Sequence, residues 1–361
     1  MKHTRVLIVD DSPVVQSVLT TLLSSAPDIE VVGAASDAFD ARDMIIEKRP
    51  DVVTLDIEMP RMDGITFLKH LLRFRPIPVV MISSYTWKNS MRTLEAMDIG
   101  AVDFIAKPRE DVKNGLWKLK HEIIIKVRTA ARTRIKPYGL FGKNEKRIPG
   151  ASMTNMDKII VIGASTGGTC AIERLLRSMS PNVNKIVIVQ HMPTNFTKVF
   201  AQRLNTLFPM DIKEASDRDR LDIGKVLIAP GGLHIKLAED HMGYYVLLQD
   251  SPPVKYQRPS INVFFNSVAK TVASDAIGVL LTGMGDDGAE GLLAMRQAGA
   301  FTIAQDEATS LVFGMPAAAI KLGAVEVVAS LDDIPDIILS RLHSGQLHGD
   351  DEYVKFAFPS L

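Results

Sequence analysis

Two groups of residues in this chain have types and spacings suited to chemistry. The first is a serine, a histidine and an acid. Ser165 stands in the run Ile160-Val-Ile-Gly-Ala-Ser-Thr-Gly-Gly168, a strand-like stretch that ends in small residues and leads into a helical pattern. A serine on such a turn is exposed at the carboxyl end of its strand, and neighbouring glycines let another backbone approach closely. Its hydroxyl is a poor nucleophile without a base. His191 can supply one. It sits just past a strand end in Ile186-Val-Ile-Val-Gln-His-Met-Pro193, and consecutive strand ends of a parallel sheet are often neighbours. A third run, 276–281, enters Thr282-Gly-Met-Gly-Asp-Asp-Gly288. Either Asp286 or Asp287 could orient the histidine and stabilise its cation.

Each segment has other readings when taken alone. Residues 163–167 fit the G-x-S-x-G nucleophile elbow, but also a phosphate-binding glycine loop at a helix N-terminus or a structural turn. A lone histidine after a strand serves equally in capping or loop packing, and either acid serves as a helix N-cap. The order Ser…His…Asp differs from the Ser…Asp…His order of α/β-hydrolases, so a triad here is a separate route to the same geometry.

The second group lies near the N-terminus. Asp10 and Asp11 follow the first strand-like run and Asp56 follows the third. In open parallel sheets functional groups gather at the carboxyl ends of strands. Clustered carboxylates repel unless a cation sits between them, and a hard, oxygen-seeking ion such as Mg²⁺ suits that geometry. Ser83 after the fourth run and Lys107 after the fifth put a hydroxyl and an ammonium on the same rim. An acid after a strand is more often a cap or turn residue; the five together, in this order, are a far stronger signal.

These groups need parallel sheets to hold them. Residues 6–9, 31–34, 52–55, 79–82 and 101–105 read as strands, with amphipathic helical patterns at 14–25 and 38–48. Strands alternating with helices predict a parallel sheet covered on both faces. A second α/β pattern begins at Lys158, with strands expected at 159–162, 185–189, 226–228, 276–281, 301–304 and 325–328. Between the patterns, 127–136 is basic and reads as a solvated helix face. Pro137, Gly139, Gly142, Pro149 and Gly150 then break any helix. The expected organisation is an N-terminal α/β domain at 1–125, a linker at 126–156, a doubly wound, mainly parallel α/β domain at 157–345 and a tail at 346–361.

Composition narrows the classes. Lys plus Arg and Asp plus Glu are 42 each, which gives no whole-chain reason to expect nucleic acid or an anionic membrane as partner. The one cysteine, Cys170, excludes an intramolecular disulfide and fits a reducing compartment. The first ten residues carry too short an apolar run for a signal peptide, and no stretch reaches the roughly 18 apolar residues of a membrane span. A cytoplasmic protein without membrane insertion is expected.

The motifs resemble a known family. Val9-Asp-Asp-Ser-Pro13, Leu55-Asp-Ile-Glu-Met-Pro-Arg-Met-Asp-Gly64, Val80-Met-Ile-Ser-Ser84 and Phe104-Ile-Ala-Lys-Pro108 resemble a response-regulator receiver of the CheY type, a flavodoxin-like five-stranded fold. Gly163-Ala-Ser-Thr-Gly-Gly168, Gln190-His-Met-Pro193, Ala229-Pro-Gly-Gly232, Arg258-Pro-Ser260, Leu281-Thr-Gly-Met-Gly285 and Ala304-Gln-Asp-Glu307 resemble the catalytic domain of chemotaxis protein-glutamate methylesterases, the CheB family. The resemblance covers the chain apart from linker and tail. It implies Asp56 as phosphoacceptor, Asp10 and Asp11 as Mg²⁺ holders with it, Ser83 as switch hydroxyl, Phe104 as switch aromatic and Lys107 as phosphate contact. It also implies Ser165 as nucleophile, His191 as base and Asp287 as its orienting acid, because the family pattern usually has an amide at the position of Asp286. The N–H of Met284 is implied as an oxyanion donor, with Thr166 and Thr282 in support.

The implied activity is phosphorylation-controlled hydrolysis of glutamate methyl esters, and deamidation of glutamines, on methyl-accepting chemoreceptors. A chemotaxis-type histidine kinase would be the phosphodonor, and the esterase step itself needs no metal. In this reading the unphosphorylated receiver limits access to the esterase. Rival readings are a receiver presenting a catalytically silent domain to a partner, and an esterase serving a non-chemotaxis receptor array. Asp286, Asn262 (often aspartate in the family), Tyr85 and Trp87 depart from the family pattern.

Overall fold

The computed structural model describes residues 3–84, 86–108, 111–133, 158–180 and 184–343. Most of the expected linker, the tail from 346 and Tyr85 lie outside the described residues. The chain divides into two compact units, one running to Asn144 and the other from Glu145.

The N-terminal unit is built on β1 (Thr4–Val9), β2 (Ile29–Ala35), β3 (Val52–Asp56), β4 (Val79–Ser84) and β5 (Asp103–Lys107), all parallel in the order β2-β1-β3-β4-β5. The central strands read as near-continuous apolar runs because both faces are covered: Val6, Leu7, Ile8, Val52, Val53 and Leu55 are fully buried. Helices start where sequence signals put them. Asp37 accepts from the N–H groups of Phe39 and Asp40, and Asp63 from that of Thr66. Such caps are each worth about 1 kcal/mol.

Two expectations need correction. The strand expected at 101–105 begins at Asp103, because Ala101 still closes the preceding helix through its N–H to the Ala96 carbonyl. The boundary expected at residue 125 falls inside a helix, Lys120–Arg132. Ile123, Ile124, Val127 and Ala130 on this helix are buried and pack toward β3, β4 and β5. The basic run is therefore helical at its start, but with an apolar stripe that belongs to the core of the N-terminal unit. Arg128 on its outer side pairs with Asp28 at 2.5 and 2.9 Å.

The C-terminal unit holds a seven-stranded parallel sheet. Its strands are β6 (Ile159–Ala164), β7 (Lys185–Gln190), β8 (Asp211–Glu214), β9 (Lys225–Ile228), β12 (Ala276–Leu280), β13 (Phe301–Gln305) and β14 (Val327–Ala329), in the order β14-β13-β12-β6-β7-β9-β8. A separate antiparallel hairpin pairs β10 (His234–Asp240) with β11 (Gly243–Gln249). The expected mainly parallel, doubly wound architecture is present. Two features carry little local sequence signal. Strand β8 is a short edge strand, Asp-Ile-Lys-Glu, with Ile212 as its one buried residue. The hairpin turns at His241-Met242 without the Asn-Gly or Asp-Gly signal that flags such turns. The strand expected at 325–328 is shifted to Val327–Ala329.

From β6 the chain winds outward through β7 to β9 and β8, then returns to add β12, β13 and β14 on the other side. The winding reverses between β6 and β12. In open α/β sheets the crevice for ligands forms at that reversal, outside the carboxyl ends of the strands. The helix Ile261–Thr271 buries Phe264 and Phe265 fully and packs against the helix Ala289–Gln297 and β10. Among the described residues no helix is long and apolar enough to cross a membrane.

Candidate active site

Three strand ends at the reversal bring the expected residues together. Ser165 follows β6, His191 follows β7 and Asp287 lies in the loop after β12. His191 Nδ1 is 3.1 Å from Ser165 Oγ, and His191 Nε2 is 2.9 Å from Asp287 Oδ2. A carboxylate only accepts, so Nε2 carries the proton and Nδ1 keeps a lone pair facing the hydroxyl. Asp286 points elsewhere. It is exposed and pairs with Lys255 Nζ at 3.0 Å, which also reaches Glu290 at 3.1 Å.

Asp287 is held by more than the histidine. Its Oδ1 accepts from Ser260 Oγ at 2.9 Å and from the Asn262 N–H at 3.1 Å. Its Oδ2 also accepts from the Ile261 N–H at 2.7 Å. These donors open the helix Ile261–Thr271, whose N-terminus favours negative charge. Burial pushes the Asp287 carboxyl up, but the His191 hydrogen bond and the N–H groups of Asn262 and Ile261 outweigh it. The group stays below the ordinary carboxylate range. It is an anion at neutral pH, fixed and facing the imidazole.

The turn that carries Ser165 is pinned by its backbone. Ser165 N–H donates to the Thr282 carbonyl at 3.0 Å, across the reversal. The Ser165 carbonyl accepts from Gly168 N–H at 2.7 Å and from Gln190 Nε2 at 2.9 Å. Gly168 must lack a side chain, since a Cβ there would lie 2.1 Å from Gln190 Oε1. Thr282 Oγ1 donates to the Thr166 carbonyl at 3.0 Å, and the Thr282 N–H donates to Gln305 Oε1 at 2.8 Å. Gly283 packs so closely on the serine that a Cβ would sit 2.7 Å from Ser165 Cβ. Met284, with its side chain partly exposed, is the next residue of that loop.

Ser260, Asn262, Gln190 and Gln305 are the residues that sequence reasoning missed as parts of the site. Gln190, Ser260 and Gln305 each lie within one of the motifs quoted above, and that is the local signal they carry. Asn262, noticed as a departure from the family pattern, has a defined task. Its Oδ1 accepts from the N–H groups of Gly288 at 3.0 Å and Gly291 at 2.8 Å, tying the Asp287 loop to the neighbouring helix.

The second group of residues also lies together at strand ends. Asp10, Asp11 and Asp56 offer oxygens that all lie within 4.8 Å of one another. Lys107 Nζ reaches Asp10 at 2.8 Å and Asp56 at 2.6 Å. Burial raises the Asp56 carboxyl to about 6 against the pull of Lys107, and raises Asp10 as well. Three hard oxygen donors balanced by one ammonium leave a negative site that fits a divalent cation. Ser83 is fully buried on the same rim, and its Oγ finds no hydrogen-bond partner among the described residues. Phe104 is buried in β5. Lys126 sits 5.3 Å above its ring and donates to its carbonyl at 2.6 Å.

Residues 160–338 match the family model for the CheB methylesterase, and residues 6–114 match that for the response regulator receiver domain. A protein-glutamate methylesterase/protein-glutamine glutaminase of Methylobacillus flagellatus is 48% identical over 342 residues, spanning 94% of this chain and 96% of the relative. The chain belongs to the CheB methylesterase family. A second CheB-family relative of the same name, from Pectobacterium atrosepticum, is 46% identical over 346 residues, 96% of this chain and 99% of its own. The crystal structure of the Thermotoga maritima CheB methylesterase catalytic domain superposes with a TM-score of 0.50 at 36% identity, covering 51% of this chain and 98% of that one. A receiver joined to a CheB methylesterase domain implies partners of chemotaxis two-component signalling.

Proposed function

We propose that the protein hydrolyses glutamate γ-methyl esters on the cytoplasmic helices of methyl-accepting chemoreceptors, deamidates receptor glutamines by the same route, and is switched on by phosphorylation of Asp56. The observation that carries the chemistry is the unbroken line Ser165 Oγ, His191, Asp287 at 3.1 and 2.9 Å. Ser165 Oγ attacks the ester carbonyl while His191 Nδ1 takes its proton. Asp287 stabilises the imidazolium through Nε2–H. The oxyanion of the tetrahedral intermediate is stabilised by backbone N–H groups, that of Met284 among them, at about 3 kcal/mol per donor. Methanol leaves with the proton from His191. Water, deprotonated by the same nitrogen, then cleaves the acyl-serine and frees the glutamate. An amide substrate gives the same acyl-serine with ammonia as the leaving group. Every group in this sequence belongs to the chain itself.

Mg²⁺ is the divalent ion we assign to Asp10, Asp11 and Asp56, where it would offset charge on an incoming phosphoryl group. Lys107 and the Ser83 hydroxyl, which has no hydrogen-bond partner among the described residues, would contact the phosphoryl oxygens. Metal binding needs ionised carboxylates. With Asp56 near about 6, Mg²⁺ should raise the thermal midpoint of the receiver fully above pH about 7, and the rise should fade below pH about 6. Asp11→Asn should weaken it at every pH. Thermal melts with and without Mg²⁺ check this; a rise indifferent to pH and to Asp11 counts against the site.

The whole reading is tested by methanol release from receptor-bearing membranes. Full-length protein should be slow until given Mg²⁺ and a small phosphodonor, Asp56→Asn should stay slow, and a fragment starting at Asp157 should be fast without either. A tenfold activation requires about 1.4 kcal/mol, within reach of a few charge-assisted hydrogen bonds. No methanol from any of the three would favour a silent, partner-binding C-terminal domain. A fragment no faster than the unphosphorylated whole would mean that the receiver acts by recruitment.

A further inference from the structure

The motifs 229–232 and 258–260 lead to a buried contact beneath Asp287. Ser260, whose hydroxyl holds Asp287 Oδ1, turns its own N–H to His234 Nδ1 at 3.1 Å. His234 is fully buried at the start of β10, two residues beyond the first motif. Its Nε2 lies 3.1 Å from the Pro252 carbonyl. A carbonyl accepts and an amide N–H donates, so Nε2 must carry the proton and Nδ1 must be bare. The ring is neutral and in one tautomer. It also spans the segment 252–260 end to end, while Gly232 N–H donates to the Arg258 carbonyl at 3.0 Å within that span. The same segment delivers Ser260, Ile261 and Asn262, the donors that hold the Asp287 carboxylate.

We infer that His234 is a positioning residue for the catalytic acid: its Nδ1 fixes Ser260, and through Ser260 the orientation of Asp287 toward His191. This rests on the reading of Ser165, His191 and Asp287 as the triad. The bland alternative is a buried histidine that merely fills space with both nitrogens satisfied. The two differ in which nitrogen matters. Asparagine places an acceptor oxygen near the position of Nδ1 and abandons Pro252. Glutamine places a donor near Nε2 and abandons Ser260.

His234→Gln should lower kcat for methyl-ester hydrolysis by about tenfold to a hundredfold, as for a buried donor left unpaired, with KM within about twofold. His234→Asn should keep most of kcat. In proton NMR of the resting enzyme, the low-field resonance of the His191–Asp287 hydrogen bond should shift or broaden in His234→Gln and persist in His234→Asn. Should His234→Gln fail to fold, ¹⁵N NMR of the wild-type chain still decides: His234 Nδ1 should be unprotonated and scalar-coupled to the Ser260 amide. Equal losses in the two variants, an unmoved resonance, or a protonated Nδ1 would overturn the inference. Turnover retained by Ser165→Ala would instead overturn the triad reading, leaving the Ser260 contact to be judged by NMR alone.

Discussion

Ser165→Ala should abolish methyl-ester hydrolysis while leaving the fold and its thermal midpoint unchanged. The hydroxyl is the only part of the residue that the substitution removes. The bonds that Ser165 makes to shape the turn use its own backbone atoms: its N–H to the Thr282 carbonyl, and its carbonyl to Gly168 N–H and Gln190 Nε2. The deleted Oγ has His191 as its partner in the structure, and His191 stays fixed by Asp287. Loss of a serine nucleophile in an established triad costs about 10⁶ in kcat, so turnover should fall to background. Methanol release by the purified variant, with circular dichroism as the folding control, checks it. Measurable turnover in a folded variant would remove Ser165 from the mechanism.

The second large effect separates two neighbours. Asp287→Asn should lower kcat by about 10⁴, and Asp286→Asn by no more than about fivefold, the range of an exposed ion pair. Asp287 accepts four hydrogen bonds, two at each oxygen. An asparagine must turn an NH₂ toward one of those pairs. If it faces Oδ1's partners, the amide meets the Asn262 N–H, donor against donor. If it faces Oδ2's partners, it meets the Ile261 N–H and drives His191 to the tautomer with the proton on Nδ1, which can no longer take the serine's. Only the second disables the base outright, but the first breaks the seat of the side chain, and in both the carboxylate charge that stabilises the imidazolium is gone. Asp286 faces Lys255 and solvent, so its charge reaches the reaction only through screening water. Steady-state kcat for the two variants decides the matter, and the reverse ranking would reassign the acid.

Much of this was legible in the sequence because strand ends announce themselves. Ile186–Val189 is an apolar run that stops at Gln190 and His191, and that stop is what places the base on the carboxyl edge. The receiver acids follow the same rule at Val9 and Leu55. What was hidden depends on long-range packing. No local pattern says that Ser260, Ile261 and Asn262 will hold an acid some 25 residues downstream; that required the helix Ile261–Thr271 to dock beside the β12 loop. Choosing Asp287 over Asp286 needed the family pattern, since two adjacent carboxylates after a strand look alike until one is buried. The boundary at 125 falls inside the helix Lys120–Arg132 because the arginines of 127–136 mask the spacing of Ile123, Val127 and Ala130. Strand β8 and the β10–β11 hairpin escaped because neither has enough apolar length or turn chemistry to stand out.

The reversal between β6 and β12 also bears on how such an enzyme can diversify. The reactive groups hang from three adjacent central strands, so their spacing is inherited from the ladder between strands rather than negotiated by each loop. The outermost strands, β8 and β14, are short and lie at the margins of the sheet. Substitutions accumulating there, or insertions at their ends, are insulated from the reacting atoms by intervening strands. The periphery can therefore change without retuning the reaction, whereas a slip in the middle of the sheet would disturb every partner of the serine at once.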